Sequence, residues 1–214
     1  MVQTWVVMGV IAVLGLVAAG SARRGALNGI HNTFEAVVEF VGGIASPSGA
    51  LGAYRNRQLL FEFLLTLLFF ILVSNMLDLI PPYISPTNTL STTAALAILV
   101  FLYQHVAGLI RHGARYGRKF LHVPGAMGYG FLIFTIIEEL TKPITLSFRL
   151  FGNIFAGELL IAEALKLVGA KYTFGGFIVA EVALLFTLFV AVVQAFIFMI
   201  LTFSYVDQVE SSPH

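Results

Sequence analysis

The chain has 214 residues, 58% of them apolar, and only 11% are Asp, Glu, Lys or Arg, against about 25% in an ordinary soluble domain. With 12 basic and 11 acidic residues the net charge is +1, and there is no cysteine. These proportions exclude a nucleic-acid-binding surface, a disordered tail protein and a disulfide scaffold, and leave an integral membrane protein. Period-2 alternation is absent, so the spans are helical and a barrel is excluded.

The first apolar run, 1–22, carries no charge. Small residues near its end (Ala18, Ala19, Gly20, Ser21, Ala22) resemble a cleavage site, but no basic residue precedes the run as a leader requires. Arg23 and Arg24 follow it instead, which makes it a retained helix with its N-terminus outside. In 28–41, Ile30, Phe34, Val37, Val38 and Val41 recur at helical spacing, with Asn32, Glu35 and Glu39 elsewhere. The pattern fits an interfacial amphipathic helix or a solvated helix packed on a partner.

Spans follow at 59–80 and 88–110, separated by Pro81-Pro82-Tyr83-Ile84-Ser85-Pro86 with no basic residue near it. Arg23, Arg24, Arg55 and Arg57 fill one loop, and Arg111, Arg115, Arg118 and Lys119 another, which places both loops on the inner side. The expected architecture is an all-α membrane protein of about five spans in one domain, C-terminus cytoplasmic.

The last two segments, 124–168 and 171–206, are too long for perpendicular spans. At 1.5 Å per residue they would reach roughly 60 Å and 50 Å, against a hydrocarbon core of about 30 Å. Either they turn or they lie tilted. Pro143 permits a kink in the first, and Val168-Gly169-Ala170 allows a short turn into a hairpin.

Charges inside these helices are the informative ones. Glu138, Lys142, Thr145, Arg149 and Asn153 recur at spacings of three and four and so share one face, to which Glu163 nearly returns. Glu158 and Ser147 face elsewhere. Lys142 can pair with Glu138 at i, i+4. Arg149 has no acid within four residues either way, and its guanidinium cannot escape by deprotonating. It must meet a counter-charge or water supplied by another helix or another chain. In the last helix Thr187 and Gln194 share a face, and Gln194 could also serve as helix–helix glue. Glu181 can snorkel at one end, and Lys166 and Lys171 are expected in solvent. His105, His112 and His122 have no partner at ligand spacing, so no metal is expected. No phosphate-cradling or dinucleotide motif is present, so no cofactor is expected either.

The run from Glu138 to Glu158, EELTKPITLSFRLFGNIFAGE, closely resembles the signature of subunit a of F-type ATP synthases. The similarity continues in Gln194-Ala195-Phe196-Ile197-Phe198, in Asn75-Met76-Leu77-Asp78-Leu79-Ile80-Pro81 and in 86–93, and so covers essentially the whole chain. The resemblance implies a stator beside a rotating ring of c subunits, each with a membrane-buried carboxylate, and two offset half-channels that carry protons to and from that carboxylate. It implies a non-catalytic proton-translocating subunit in an energy-transducing membrane, most simply a bacterial plasma membrane, with a thylakoid or other organellar membrane the alternative. The implied partners are the c ring, b-type peripheral stalk subunits, the other ATP synthase subunits and the lipid bilayer, with no nucleic acid.

By the same resemblance Arg149 faces the ring carboxylate, and Asn153 and Gln194 orient it or water. Glu158, with Glu181 as a second candidate, relays protons on the outer side, and Glu138 and Glu139 line the inner exit. The chain departs from the family at Thr187, where many members carry a titratable residue, and in opening almost directly on its first span. A secondary ion-coupled transporter is the alternative; it would call for internal repeats and paired broken helices, which the chain lacks.

Overall fold

A computed structural model of the chain describes residues 2–23, 29–45, 57–77, 85–113, 116, 128–168 and 173–211. Residues 78–84, the expected turn at Gly169-Ala170, and Arg24, Arg55, Arg115, Arg118, Lys119, His122 and Lys171 lie outside the described residues. The elements are α1 (Val2–Arg23), α2 (Gly29–Ala45), α3 (Arg57–Leu77), a 3-10 turn (Pro86–Asn88), α4 (Leu90–His112), α5 (Gly128–Val168) and α6 (Thr173–Ser211). All are helical, which is the way an open chain satisfies its backbone N–H and C=O groups within lipid. Among the described residues, four stretches are long and apolar enough to cross a membrane: Gln58–Leu77, Leu90–His112, Leu132–Glu163 and Glu181–Val209. A shorter apolar stretch, Thr4–Val13, lies in α1.

The chain forms two compact units. The first comprises residues 1–86 and 191–199, the second 87–190 and 200–214. In the first, α1, α2 and α3 pack on one another. The inward face of α3 carries Leu60, Leu64, Leu67, Leu68 and Ile71, joined by Val7 of α1, Val41 of α2 and Ala195, Phe198 and Met199 of α6. α2 turns Val37, Val38 and Val41 inward and leaves Glu35 and Glu39 exposed, as its helical spacing requires. Two polar side chains near the end of α3 bond to backbone. Asn75 Nδ2 donates to the carbonyl of Ala191 (3.4 Å) and Ser85 Oγ to that of Ser74 (2.9 Å).

In the second unit α4 lies along α5. Thr93, Ala97, Val100, Gln104 and Gly108 are the buried positions of α4, three or four residues apart on one stripe. On α5 Leu146, Leu150 and Ile154 are buried, while Phe134, Ile137, Leu140, Ile144 and Phe148 are exposed and form an apolar outer face. Two glycines are required here for different reasons. Gly113 caps α4 at φ 56°, a left-handed conformation that costs a side chain dearly, and its N–H bonds the Leu109 carbonyl. A Cβ on Gly108 would stand 2.5 Å from Tyr116 Cε2 and 2.6 Å from Val209 Cγ1, so only hydrogen fits there.

α5 has 41 residues and α6 has 39, about 60 Å each at 1.5 Å per residue. α5 runs through Pro143 as one helix, so of the two possibilities for its excess length the turn is removed. α6 continues to Ser211, past the expected end at residue 206.

Candidate functional site

The polar stripe of α5 divides into two sets. Glu138 and Thr145 are exposed, and Arg149 and Asn153 are half-buried. Lys142 instead turns inward and is only 9% exposed. Its Nζ lies 3.2 Å from Glu139 Oε1 and donates to Gln208 Oε1 at 2.9 Å, with the Tyr205 ring 5.7 Å away. The expected i, i+4 pair with Glu138 is therefore replaced by an i, i+3 pair with Glu139. The reason is geometric. Three residues advance a helix by about 300° and four by about 400°, so both acids flank Lys142, and its flexible stem settles on the acid that faces the interior.

Glu139 is buried as well and also accepts from Gln104 Nε2 of α4 (3.2 Å). Gln104, Glu139, Lys142 and Gln208 thus tie three helices of the second unit through a charge pair whose two members each take one further hydrogen bond. Tyr116 lies at the edge of this network. Its hydroxyl is pushed up to about 12, first by burial and then by the negative charge of Glu139.

Arg149 makes no hydrogen bond or ion pair to the described residues of its own unit. The neighbouring acids are otherwise engaged or face away: Glu139 holds Lys142, Glu158 accepts from Asn88 Nδ2 in the 3-10 turn, and the exposed Glu163 pairs with Lys166 at 2.7 Å. Ser147, on the Glu158 side of α5, shares a hydrogen bond with Thr93 of α4 (3.3 Å). Beside that pair is a crevice of about 260 Å³, walled by Ala94, Ala97, Ile98, Pro143, Ile144 and Phe148. Its walls are almost wholly apolar, so it is a poor place to order water.

On α6, Glu181 is exposed. Thr187 Oγ1 donates to the carbonyl of Ala183 (2.9 Å), which commits its proton to its own helix. A Cβ on Gly157 would lie 3.4 Å from Thr187 Cγ2, so α5 and α6 approach here. Gln194 is buried and belongs to the first unit. The histidines have local roles: His105 Nδ1 is 2.8 Å from the Phe101 carbonyl and His112 Nε2 is 3.2 Å from that of Val209.

Asn88, Thr93, Gln104 and Gln208 are partners that sequence reasoning missed. Gln104 carried a signal, being an amide in the middle of an apolar run; Asn88 sits in a turn, where asparagine is ordinary.

These features define a helical membrane protein with a long-helix pair and an intramembrane arginine that no described residue of its own unit supplies with a counter-charge. The profile of the family described as ATP synthase A chain matches residues 1–207. Proteins named ATP synthase subunit a are similar over nearly the full chain. That of Desulforamulus reducens is 36% identical over 97% of this chain and 78% of its own length. That of Geobacter sulfurreducens is 32% identical over 95% and 84%, and Syntrophotalea carbinolica has one at 34% over 95% and 82%. The chain belongs to the ATP synthase A chain family, the proton-translocating stator subunits of the synthase's membrane sector.

Proposed function

We propose that Arg149 is the stator charge that meets the membrane-buried carboxylate of each passing c subunit, so that proton flow through this chain turns the ring and drives ATP synthesis elsewhere in the complex. The observation that carries this reading is the state of Arg149. A permanent cation within a span costs several kcal/mol unless it meets a counter-charge or water, and its own unit supplies it no hydrogen bond or ion pair among the described residues. A carboxylate arriving from another chain would complete it. Arg149 would favour the ionised form of that carboxylate and repel protons, which keeps the two half-channels from short-circuiting.

In this scheme the subunit performs no bond chemistry on a nucleotide. Asn153 orients Arg149 or its water, and Gln194 is a further polar group of the proton path. Glu158 relays protons in one half-channel, with Glu181 a second group. In the other, Glu138 is the acid exposed for exit, and Glu139 serves mainly as the counter-ion of Lys142. The basic loops put the N-terminus outside and the C-terminus on the cytoplasmic side of a bacterial plasma membrane, where the b-type peripheral stalk holds the chain against rotation.

The test is Arg149→Ala in inverted membrane vesicles, read as ATP-driven proton pumping and as proton-driven ATP synthesis. Both should fall to background while the complex still assembles and co-purifies with the ring protein. Synthesis at the native rate would overturn the reading.

A further inference from the structure

An asparagine just ahead of a helix ordinarily folds its side chain back onto the first free N–H groups. Asn88 does not. α4 begins from Thr89 in extended backbone (φ −105°, ψ 127°) with no side-chain cap, and Thr89 Oγ1 is engaged with Thr92 Oγ1 at 2.8 Å. Asn88 Nδ2 instead donates to Glu158 Oε1 on α5. Further along the same two helices the Thr93 and Ser147 hydroxyls meet, so a polar seam runs between α4 and α5 from the turn inward.

We infer that Asn88 is a positioning residue for proton transfer at Glu158: it occupies Oε1 and leaves Oε2 as the oxygen that takes up and releases the proton. A carboxylate swinging freely offers both oxygens in several orientations, whereas one hydrogen bond from a neutral amide fixes the plane of the group without adding a charge. The surroundings leave Asn88 as the controlling partner. α4 has no Asp, Glu, Lys or Arg from 90 to 110. On α5, Glu163 is paired with Lys166, and Arg149 lies nine residues away on another face. On α6, Glu181 is exposed and the Thr187 hydroxyl is committed to Ala183. This inference rests on the reading of Glu158 as a relay.

The experiment compares Asn88→Leu, Asn88→Gln, Glu158→Gln and the double variant Asn88→Leu/Glu158→Gln in the whole complex reconstituted into liposomes. ATP-driven pumping is normalised to assembled complex. Asn88→Leu should slow pumping about tenfold or more, the kinetic weight of one hydrogen bond to a charged group. Asn88→Gln, which keeps the amide donor, should restore most of the rate. The double variant should be no slower than Glu158→Gln alone. Native pumping by Asn88→Leu while Glu158→Gln is slow, losses that multiply in the double variant, or no rescue by glutamine would each overturn the inference. Native pumping by Glu158→Gln would overturn the relay reading itself, and the inference with it. Should Asn88→Leu fail to assemble, Asn88→Ser replaces it under the same criteria, its hydroxyl being too short to span the gap.

Discussion

Lys142 offers the sharpest test of how the second unit is held together. Its Nζ is 3.2 Å from Glu139 Oε1, and both side chains are at most one-tenth exposed. At an effective dielectric near 20 that separation corresponds to about 5 kcal/mol of attraction. Desolvation of both ions offsets much of it, so the pair adds little net stability; breaking it by removing one partner, however, leaves a buried charge and costs about 3–5 kcal/mol. Gln104 Nε2, 3.2 Å from the other Glu139 oxygen, shelters an orphaned carboxylate, which places Lys142→Met near the lower bound, at about 3 kcal/mol. Scaled to a chain of this size, the thermal midpoint of the purified complex should fall by roughly 6–12 °C.

Lys142→Met/Glu139→Gln removes both charges and keeps a carbonyl acceptor for Gln104, so it should recover most of that loss. Midpoints measured by differential scanning fluorimetry in detergent, at one pH and one salt concentration, give the comparison. If the double variant were no more stable than Lys142→Met, Glu139 and Lys142 would not be compensating one another. If Lys142→Met/Glu138→Gln recovered instead, Lys142 would pair with the exposed acid after all.

Tyr116 should limit stability in alkali. Its folded value of about 12 lies above the ordinary value near 10, so between those values the folded chain keeps a proton that the unfolded chain has lost, and stability falls as pH rises through that window; Tyr116→Phe should flatten the fall in a midpoint-versus-pH series. Gly108→Ala should force Tyr116 and Val209 apart and lower the midpoint by an amount equivalent to about 1–3 kcal/mol, as overpacking does. Lys166→Ala should leave stability and pumping within error, because its pair with Glu163 is solvent-exposed on both sides and such pairs contribute about 0–1 kcal/mol.

What the sequence disclosed, and what it withheld, follows from the range of the interactions involved. Charge-free runs long enough to span, and the inward stripe of α2, are local properties and were legible. So was the isolation of Arg149, which required only that no acid lie within a turn of it. The partner of Lys142 was not, because Glu138 and Glu139 are nearly equivalent by spacing. The choice between them is made by Gln104 from α4 and Gln208 from the end of α6, residues 35 and 66 positions away. Asn88 was invisible for the same reason: its use depends on α5 lying beside the 3-10 turn, a contact 70 residues long in sequence. Pro143 marked a place where α5 could break, but its ring alone did not decide the matter, and the helix continues.

The two kinds of charge on α5 follow from that division. Glu139 and Lys142 neutralise each other inside the second unit, where a movable proton would leave a buried ion unmatched. They are therefore suited to rigidity and ill suited to relay. Glu158 is held by a neutral amide, which orients it without supplying a counter-charge, and Arg149 is left without either. One helix thus carries a compensated pair, then a cation with no partner among the described residues of its own unit, then an acid that is oriented but uncompensated. On the proposed reading the compensated pair holds α5 against α4, the oriented acid is the relay, and the cation meets the ring carboxylate with no competing hydrogen bond or ion pair from the described residues of its own unit.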